Sequence, residues 1–392
     1  MYKYLLIAVM ILLAGCQGDE KMTPVNKNDA VPDQVSNVHI KNLPGGAKIS
    51  YNVPKSENLL YVKALYEIRK GTELEVKSSY YNNSLTIQGF PDTSEYEVKL
   101  YTVTRGEVAS EPLTIKVKPL TPPITTAFRS LALKETFGGL SVGFKNESEA
   151  DIVLTVLTPD SLGDLYPAEV YYTKRDSGVF AARGFEDKPR KFGVFVRDRW
   201  NNHSDTLYTE VTPLFEEEMD KTKFKAANLP TDTYTQHCCG TGMSDIWDDN
   251  WNGGNAFHTK PSTGLPQWFT FDMGVSARLS RFKFYHRKGS GAGTDGAFYS
   301  GDPKIFEIWG SNDPSSDGSW DNWVLLGHFE AIKPSGQATP TTEDIQYACV
   351  DGEDFEFGPD IPKVRYLRFK TLQTWGTDYI YIAELTFWGN TQ

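Results

Sequence analysis

The segment PQWFTFDMG, residues 266–274, decides the fold class. Aromatic and other bulky residues fill it, proline and glycine bound it, and its length is that of one strand. Five further segments share this grammar: RFKFYHR at 281–287, KIFEIWGSND at 304–313, WVLLG at 323–327, VRYLRFK at 364–370 and YIYIAELTFWG at 379–389. Gly, Pro, Asn and Asp cluster between them and no helical period intervenes, which predicts an antiparallel sandwich of jelly-roll type over residues 214–392. Of the nine tryptophans, all but Trp200 lie beyond Lys223.

Upstream, residues 35–119 alternate apolar and polar positions in short runs such as Ile49-Ser50-Tyr51, Leu85-Thr86-Ile87 and Tyr96-Glu97-Val98-Lys99-Leu100. Turn clusters separate the runs at the spacing of a seven-stranded sandwich, and the module resembles fibronectin type III. The resemblance implies a tyrosine corner at Tyr96, its hydroxyl returning to upstream backbone. After the proline-rich PLTPP at 119–123, residues 120–213 repeat the pattern less cleanly and predict a second immunoglobulin-like sandwich, with Phe192 at the corner position. The acidic PLFEEEMD at 213–220 leads into the last domain. The fold class is therefore all-β: two immunoglobulin/fibronectin III-like sandwiches followed by a jelly-roll sandwich.

At the start, Lys3 precedes the apolar run Leu5–Leu13, a signal h-region too short for a ~30 Å bilayer core. The run ends in Leu13-Ala14-Gly15-Cys16, which resembles a bacterial lipobox. That implies a signal peptide over 1–15, a diacylglyceryl lipid on Cys16 and a flexible tether over 16–34. The run Gln17-Gly18-Asp19-Glu20 resembles the acidic export signal of surface-exposed lipoproteins. It implies a protein lipid-anchored in the outer membrane and facing the cell exterior.

A formal charge of −11 and the lack of a basic stripe argue against a nucleic-acid partner. Once Cys16 is assigned, Cys238, Cys239 and Cys349 remain, enough for at most one disulfide, and buried or partly paired thiols are the expectation. There is no CxxC and no HExxH. Gly139-Leu140-Ser141-Val142-Gly143 matches the GxSxG nucleophile elbow, but Leu140, Val142 and Phe144 alternate straight through it as in a strand. Gly291-Ala292-Gly293-Thr294-Asp295-Gly296 matches GxGxxG without the helix that a dinucleotide site requires. No catalytic constellation accompanies the carboxylates, so no enzyme is expected.

Beyond these readings, the C-terminal region resembles the discoidin-like (coagulation factor V/VIII type C, galactose-binding-like) domains. The resemblance rests on FHT at 257–259 before PQWFTFDMG, the strand ending in Arg287, the GSND turn at 310–313, WDNWVLLG at 320–327, VRYLRFK, and AELTFWG at 383–389. Phe257 stands where the family usually has tryptophan, and the terminal cysteine pair of many animal members is missing. In its three-part order the whole chain resembles lipoproteins found beside starch-utilisation-type glycan import systems.

The resemblance implies a carbohydrate-binding domain whose loops meet at one end of the sandwich. Sugars are held by aromatic rings under their C–H faces and by planar polar groups on their hydroxyls. Residues 243–262 offer Trp247, Trp251, Asn252 and His258; residues 287–303 offer Arg287, Phe298 and Tyr299; residues 371–379 offer Trp375 and Tyr379. Supporting the loops is the other reading of His258 and Arg287. Trp268, Trp309, Trp323 and Trp388, inside strands, are expected in the core.

Glu384 falls on one strand face with Ile380, Ile382, Thr386 and Trp388, where a carboxylate needs a partner. Two partners stay open: an arginine such as Arg365 or Arg368, or the structural calcium that the resemblance implies, held by Asp248, Asp249, Asn255 and Glu384. The expected function is non-catalytic capture of glycan at the cell surface for an outer-membrane glycan importer complex. On the same scaffold, the alternative is a surface adhesin whose loops grip a protein or matrix partner.

Overall fold

The computed structural model describes residues 30–56, 58–237, 242–251, 256–289, 296–358 and 360–392. The lipobox with Cys16, the pair Cys238 and Cys239, most of the GxGxxG loop, Asn252 and Asn255 lie outside the described residues. By contacts the chain divides into two compact units. One comprises 1–132, 142–180 and 192–209; the other comprises 133–141, 181–191 and 210–392.

The first module is a seven-stranded sandwich. Strands Ser36–Leu43, Gly46–Asn52 and Ser84–Gln88 form one sheet; Thr72–Ser79, Leu59–Arg69, Tyr96–Thr104 and Leu113–Val117 form the other, in that order. Alternation does what period two requires, sending Ile49, Tyr51, Val62, Ala64, Tyr66, Val98 and Leu100 into one core. The Tyr96 hydroxyl corrects the corner expectation. It donates to the Asp92 side chain at 2.9 Å rather than to backbone, and its ring packs 4.4 Å from Phe90.

The next seven strands repeat this order. Leu165–Thr173, Ile152–Pro159, Arg190–Asp198 and Leu207–Val211 form a four-stranded sheet; Ser177–Ala182, Gly139–Lys145 and Ala132–Thr136 form a three-stranded one. Ser141 sits within Gly139–Lys145, between the buried Leu140 and Val142, so no nucleophile elbow exists there.

The C-terminal module is built around one 19-residue strand, Gln267–Tyr285, which joins two segments that the sequence reading kept apart. Its first half pairs antiparallel with Val364–Thr374. Register shifts at Asp272/Ala277 and Leu279/Arg281 bend it, and its second half pairs with Glu384–Asn390 and Glu353–Glu356. Bulges of this kind turn a strand through a corner and close a sandwich. Pro303–Ser311 and Val324–Glu330 extend the sheet beyond Val364–Thr374. A short helix, Thr342–Ile345, capped by Thr341 and Asp344, runs into a π-helical turn, Gln346–Gly352, that the sequence reading did not anticipate.

Phenylalanine fills this core. Phe257, Phe269, Phe271, Phe282, Phe284, Phe306, Phe369 and Phe387 are all essentially inaccessible. The strand tryptophans largely correct the expectation. Trp323 is buried, whereas Trp268, Trp309 and Trp388 are half-buried on outer sheet faces. There the inaccessible Arg368 guanidinium lies 4.3 Å from the Trp320 ring and 4.4 Å from Trp323, and Arg281 lies 3.9 Å over Trp388. Indole on a guanidinium uses the π-face while leaving part of the ring wet, which suits a sheet's outer face better than its dry interior.

Candidate functional site at the loop end of the C-terminal module

Three chain segments converge beside the end of the long strand. Phe257–His258 pairs antiparallel with Tyr381–Ile382, and the Thr259 N–H donates to Ile380 O at 2.9 Å. The loop after Ala297 is stitched to the 374–381 segment by backbone bonds from Trp375 N to Asp302 O (3.0 Å), Gly376 N to Ser300 O (2.7 Å) and Tyr381 N to Gly301 O (3.1 Å). Gly301 permits this approach, since a Cβ there would lie 2.6 Å from the Tyr379 ring.

This stitching brings four of the sequence-selected residues into one cluster. The His258 ring stacks on Tyr379 at 4.8 Å, Tyr379 Oη and Ser300 Oγ are hydrogen-bonded at 2.7 Å, and the Arg287 guanidinium stands 5.5 Å over the Tyr381 ring. Among the described residues no carboxylate pairs with Arg287. The Tyr381 hydroxyl lies within hydrogen-bonding reach of the carbonyls of Gly296 and Tyr299, sharing its one proton between them and fixing the loop that carries Tyr299. Tyr299 is 58% exposed, and its neighbours Phe298 and Ser300 both adopt left-handed backbone, φ 55° and 49°. A phenylalanine in that region is strained, and such strain persists where the surroundings over-determine it. Here Asp302 does so: its carboxylate accepts from Phe298 N at 2.6 Å while its own N–H donates to Tyr299 O at 3.1 Å.

His258 has a defined protonation state. Its Nδ1 faces Thr259 O at 2.7 Å, and a carbonyl only accepts, so Nδ1 carries the proton. Burial, together with His237 and Arg287 nearby, holds the ring below the usual imidazole range. Nε2 is then an acceptor at neutral pH, with no hydrogen bond among the described residues.

The other sequence-selected residues lie elsewhere. Phe298 is buried and meets Trp375 edge-on at 5.4 Å, the two packing near Ala348 and the inaccessible Cys349 beneath the loop. Trp375 is half-buried, with Lys304 and Lys333 within 5.4 Å of its ring. Trp247, half-buried, packs against the core on Phe224 and Phe271, and Trp251 stacks on Tyr285 at 4.6 Å. These are corrections: the 243–251 loop folds its indoles onto the module, because large apolar faces gain more from burial than from water. Tyr381, Ser300 and His237 belong to the cluster and were missed. For Tyr381, the signal was its place two residues after Tyr379, at the start of a strand, the two rings lying 6.3 Å apart.

Beneath the cluster lies His286, fully buried. Its Nδ1 is 2.7 Å from Asp302 Oδ2 and its Nε2 is 3.0 Å from Glu353 Oε2. Burial opposes the charge, but the two carboxylates push the imidazole up to about 9. His286 thus holds the carboxylate that shapes the Tyr299 loop.

Glu384 has neither partner that the sequence reading offered. Arg365 forks onto Asp272 at 2.8 Å through both Nε and Nη2, and Arg368 bonds Thr270 and approaches Asp232. Instead the Lys221 ammonium lies 2.5 Å from Glu384 Oε1 and 2.6 Å from Asp249 Oδ1. Burial pushes the Glu384 carboxyl up to about 7 even though Lys221 pulls it down. Asp248 is exposed and accepts from Asn250 N. Among the described residues no group of three or more His, Cys, Asp or Glu side chains could hold a metal ion. With an ammonium on Glu384, the described carboxylates Asp248, Asp249 and Glu384 as arranged do not fit calcium, and Asn255 lies outside the described residues.

Comparison with known proteins places the chain. A SusE-like protein of solved structure is 37% identical, the match covering 69% of this chain and 100% of the other, with a TM-score of 0.45. The chain belongs to the SusE-like family. Identity over the relative's whole length decides this. Three domain families of unknown function match successive stretches of the SusE-like chain: DUF4959 over 32–119, DUF5126 over 120–222 and DUF5000 over 247–389. A family 32 carbohydrate-binding module from Clostridium perfringens, solved with galactose, is 16% identical over 44% of this chain and 98% of its own, TM-score 0.31. An F5/8 type C domain from Bacteroides fragilis is 14% identical over 45% of this chain and 98% of its own, TM-score 0.31. No curated protein matches the chain.

Proposed function

We propose that this SusE-like protein captures glycan without cleaving it, through the cluster of His258, Arg287, Tyr299 and Tyr379. The observation that carries this reading is the convergence itself. An exposed aromatic ring stands on a strained loop whose backbone is bonded to the Tyr381 hydroxyl; over the Tyr381 ring lies a guanidinium with no carboxylate partner among the described residues, and a neutral imidazole presenting an acceptor stacks on Tyr379. Tyr299 offers a face for the C–H side of a sugar ring, Arg287 donates to hydroxyl or carboxylate oxygens, and His258 Nε2 accepts from a hydroxyl. Among the described residues the cluster contains no pair of carboxylates flanking a scissile bond and no nucleophile with a base, so in this reading its groups bind and orient but do not cleave.

In this reading a lipid on Cys16 holds the protein at the outer membrane, facing the exterior. Residues 35–119 and 120–213 form modules between the tether and the binding domain, and the captured glycan passes to an outer-membrane importer complex. A glycan-array screen of the full chain, followed by a reducing-sugar assay on each ligand found, tests the reading. We expect binding to at least one glycan and no release of new reducing ends. An array without binders, or steady cleavage by the purified protein, would overturn it.

A further inference from the structure

Near the start of the C-terminal module, a lysine fills a seat between the 247–251 loop and the last strand. We infer that Lys221 is a built-in cation serving where a divalent ion would otherwise be needed, so that this module folds without calcium. The inference is independent of what the loop end binds.

The first support is position. Calcium sits 2.3–2.6 Å from its carboxylate oxygens. Lys221 Nζ already stands 2.5 Å from Glu384 Oε1 and 2.6 Å from Asp249 Oδ1, so an ion bridging the same oxygens would overlap it. The Lys221 side chain is 7% exposed and Glu384 is inaccessible, which separates this pair from the weak ion pairs of a protein surface.

The second support is how the lysine is delivered. Glu217 and Glu218 pair with Gly389 and Trp388 of the C-terminal strand, Met219 N donates to Phe387 O at 2.8 Å, and the Met219 side chain enters the core. A 3₁₀ turn, Lys221–Lys223, follows, capped by Asp220, whose carboxylate accepts from Thr222 N at 3.1 Å. The ammonium is therefore brought to Glu384 by backbone fixed on both sides. Lys221 also lies at the end of the stretch matching the preceding domain family and outside 247–389, so a reading of the last domain alone overlooks it.

The third support is need. Glu384 Oε2 is buried and finds no hydrogen-bond donor among the described residues, so Lys221 is the only positive charge bonded to this carboxylate there. Removing one partner of a buried pair leaves an uncompensated charge, whereas neutralising both removes the problem.

Thermal melts of the full-length protein, followed by tryptophan fluorescence, report mainly on this module, because every tryptophan except Trp200 lies beyond Lys223. The wild type should melt at the same temperature in EDTA and in excess calcium. Lys221→Met should melt roughly 5–15 °C lower. Combining Lys221→Met with Glu384→Gln should recover most of that loss. If Lys221→Met alone fails to fold, folding of the double variant decides the matter. A wild type that melts earlier in EDTA and recovers with calcium would overturn the inference. So would a Lys221→Met protein as stable as wild type, or a double variant no better than the single one.

Discussion

At the scale of single residues, His286 carries the clearest pH dependence. Both ring nitrogens face carboxyl groups, Asp302 on one side and Glu353 on the other, an arrangement that an imidazolium satisfies by donating from both. Its folded pKa, pushed up to about 9, stands above the ordinary value of about 6.5. The stabilisation is fully present below that ordinary value and is lost as pH rises through about 9. Glu384, pushed up to about 7, loses stability on its own account between its ordinary range and 7, so the fall from about 7 to 9 is read as that of the buried group of His286 with Asp302, whose carboxyl burial also raises. We expect chemical denaturation to show stability falling across that window, and the fall to be absent in His286→Phe. A wild-type stability that is flat from pH 7 to 9 would refute the imidazolium assignment. The site was partly legible at this scale. His258 and Tyr379 flank strand ends, where side chains have a fixed direction, and they do meet. Phe298 sits in a loop whose backbone turns left-handed and Trp375 in another loop that meets it, and no local pattern tells that the two rings point inward onto each other. Lys221 and Glu384 are 163 positions apart, and nothing in either neighbourhood announces the other.

At the scale of elements, six strand segments and their antiparallel sense could be read from aromatic and β-branched runs between turn clusters. Which face of each strand is dry could not. Trp268 and Phe269 are adjacent and so point to opposite faces, and both are large and aromatic; the same holds for Phe387 and Trp388, while Ile308 and Trp309 set a large aliphatic residue beside an aromatic one. The all-carbon ring goes to the core, while the indole takes the half-wet face under arginine, as Arg281 over Trp388 shows. Phe369 lies between Phe269 at 5.4 Å and Phe306 at 4.8 Å with no accessible surface. Phe369→Ala should cost about 3–5 kcal/mol through the cavity left behind. Trp388→Ala, at a half-buried position, should cost clearly less, both read from denaturant midpoints at constant slope. The opposite ranking would mean that the two sheet faces are assigned the wrong way round.

At the scale of the whole molecule, the all-β character and the succession of two immunoglobulin-like sandwiches follow from short alternating runs and their spacing, which is why they could be read without coordinates, whereas the strand order within each sheet could not. The long strand Gln267–Tyr285 could not, because Gly274 and the residues after it read as a turn when they are a bend within one strand. The central claim is that the loop-end cluster of this SusE-like protein holds glycan. Titration calorimetry tests it most directly, using the strongest glycan from the array against the full-length wild type, Tyr299→Ala and Arg287→Ala, with melting curves on all three. We expect each substitution to weaken binding by about 1–3 kcal/mol while the melting temperature stays at the wild-type value. Undiminished affinity in both variants, with the fold intact, would contradict the claim and place the binding surface away from this loop end.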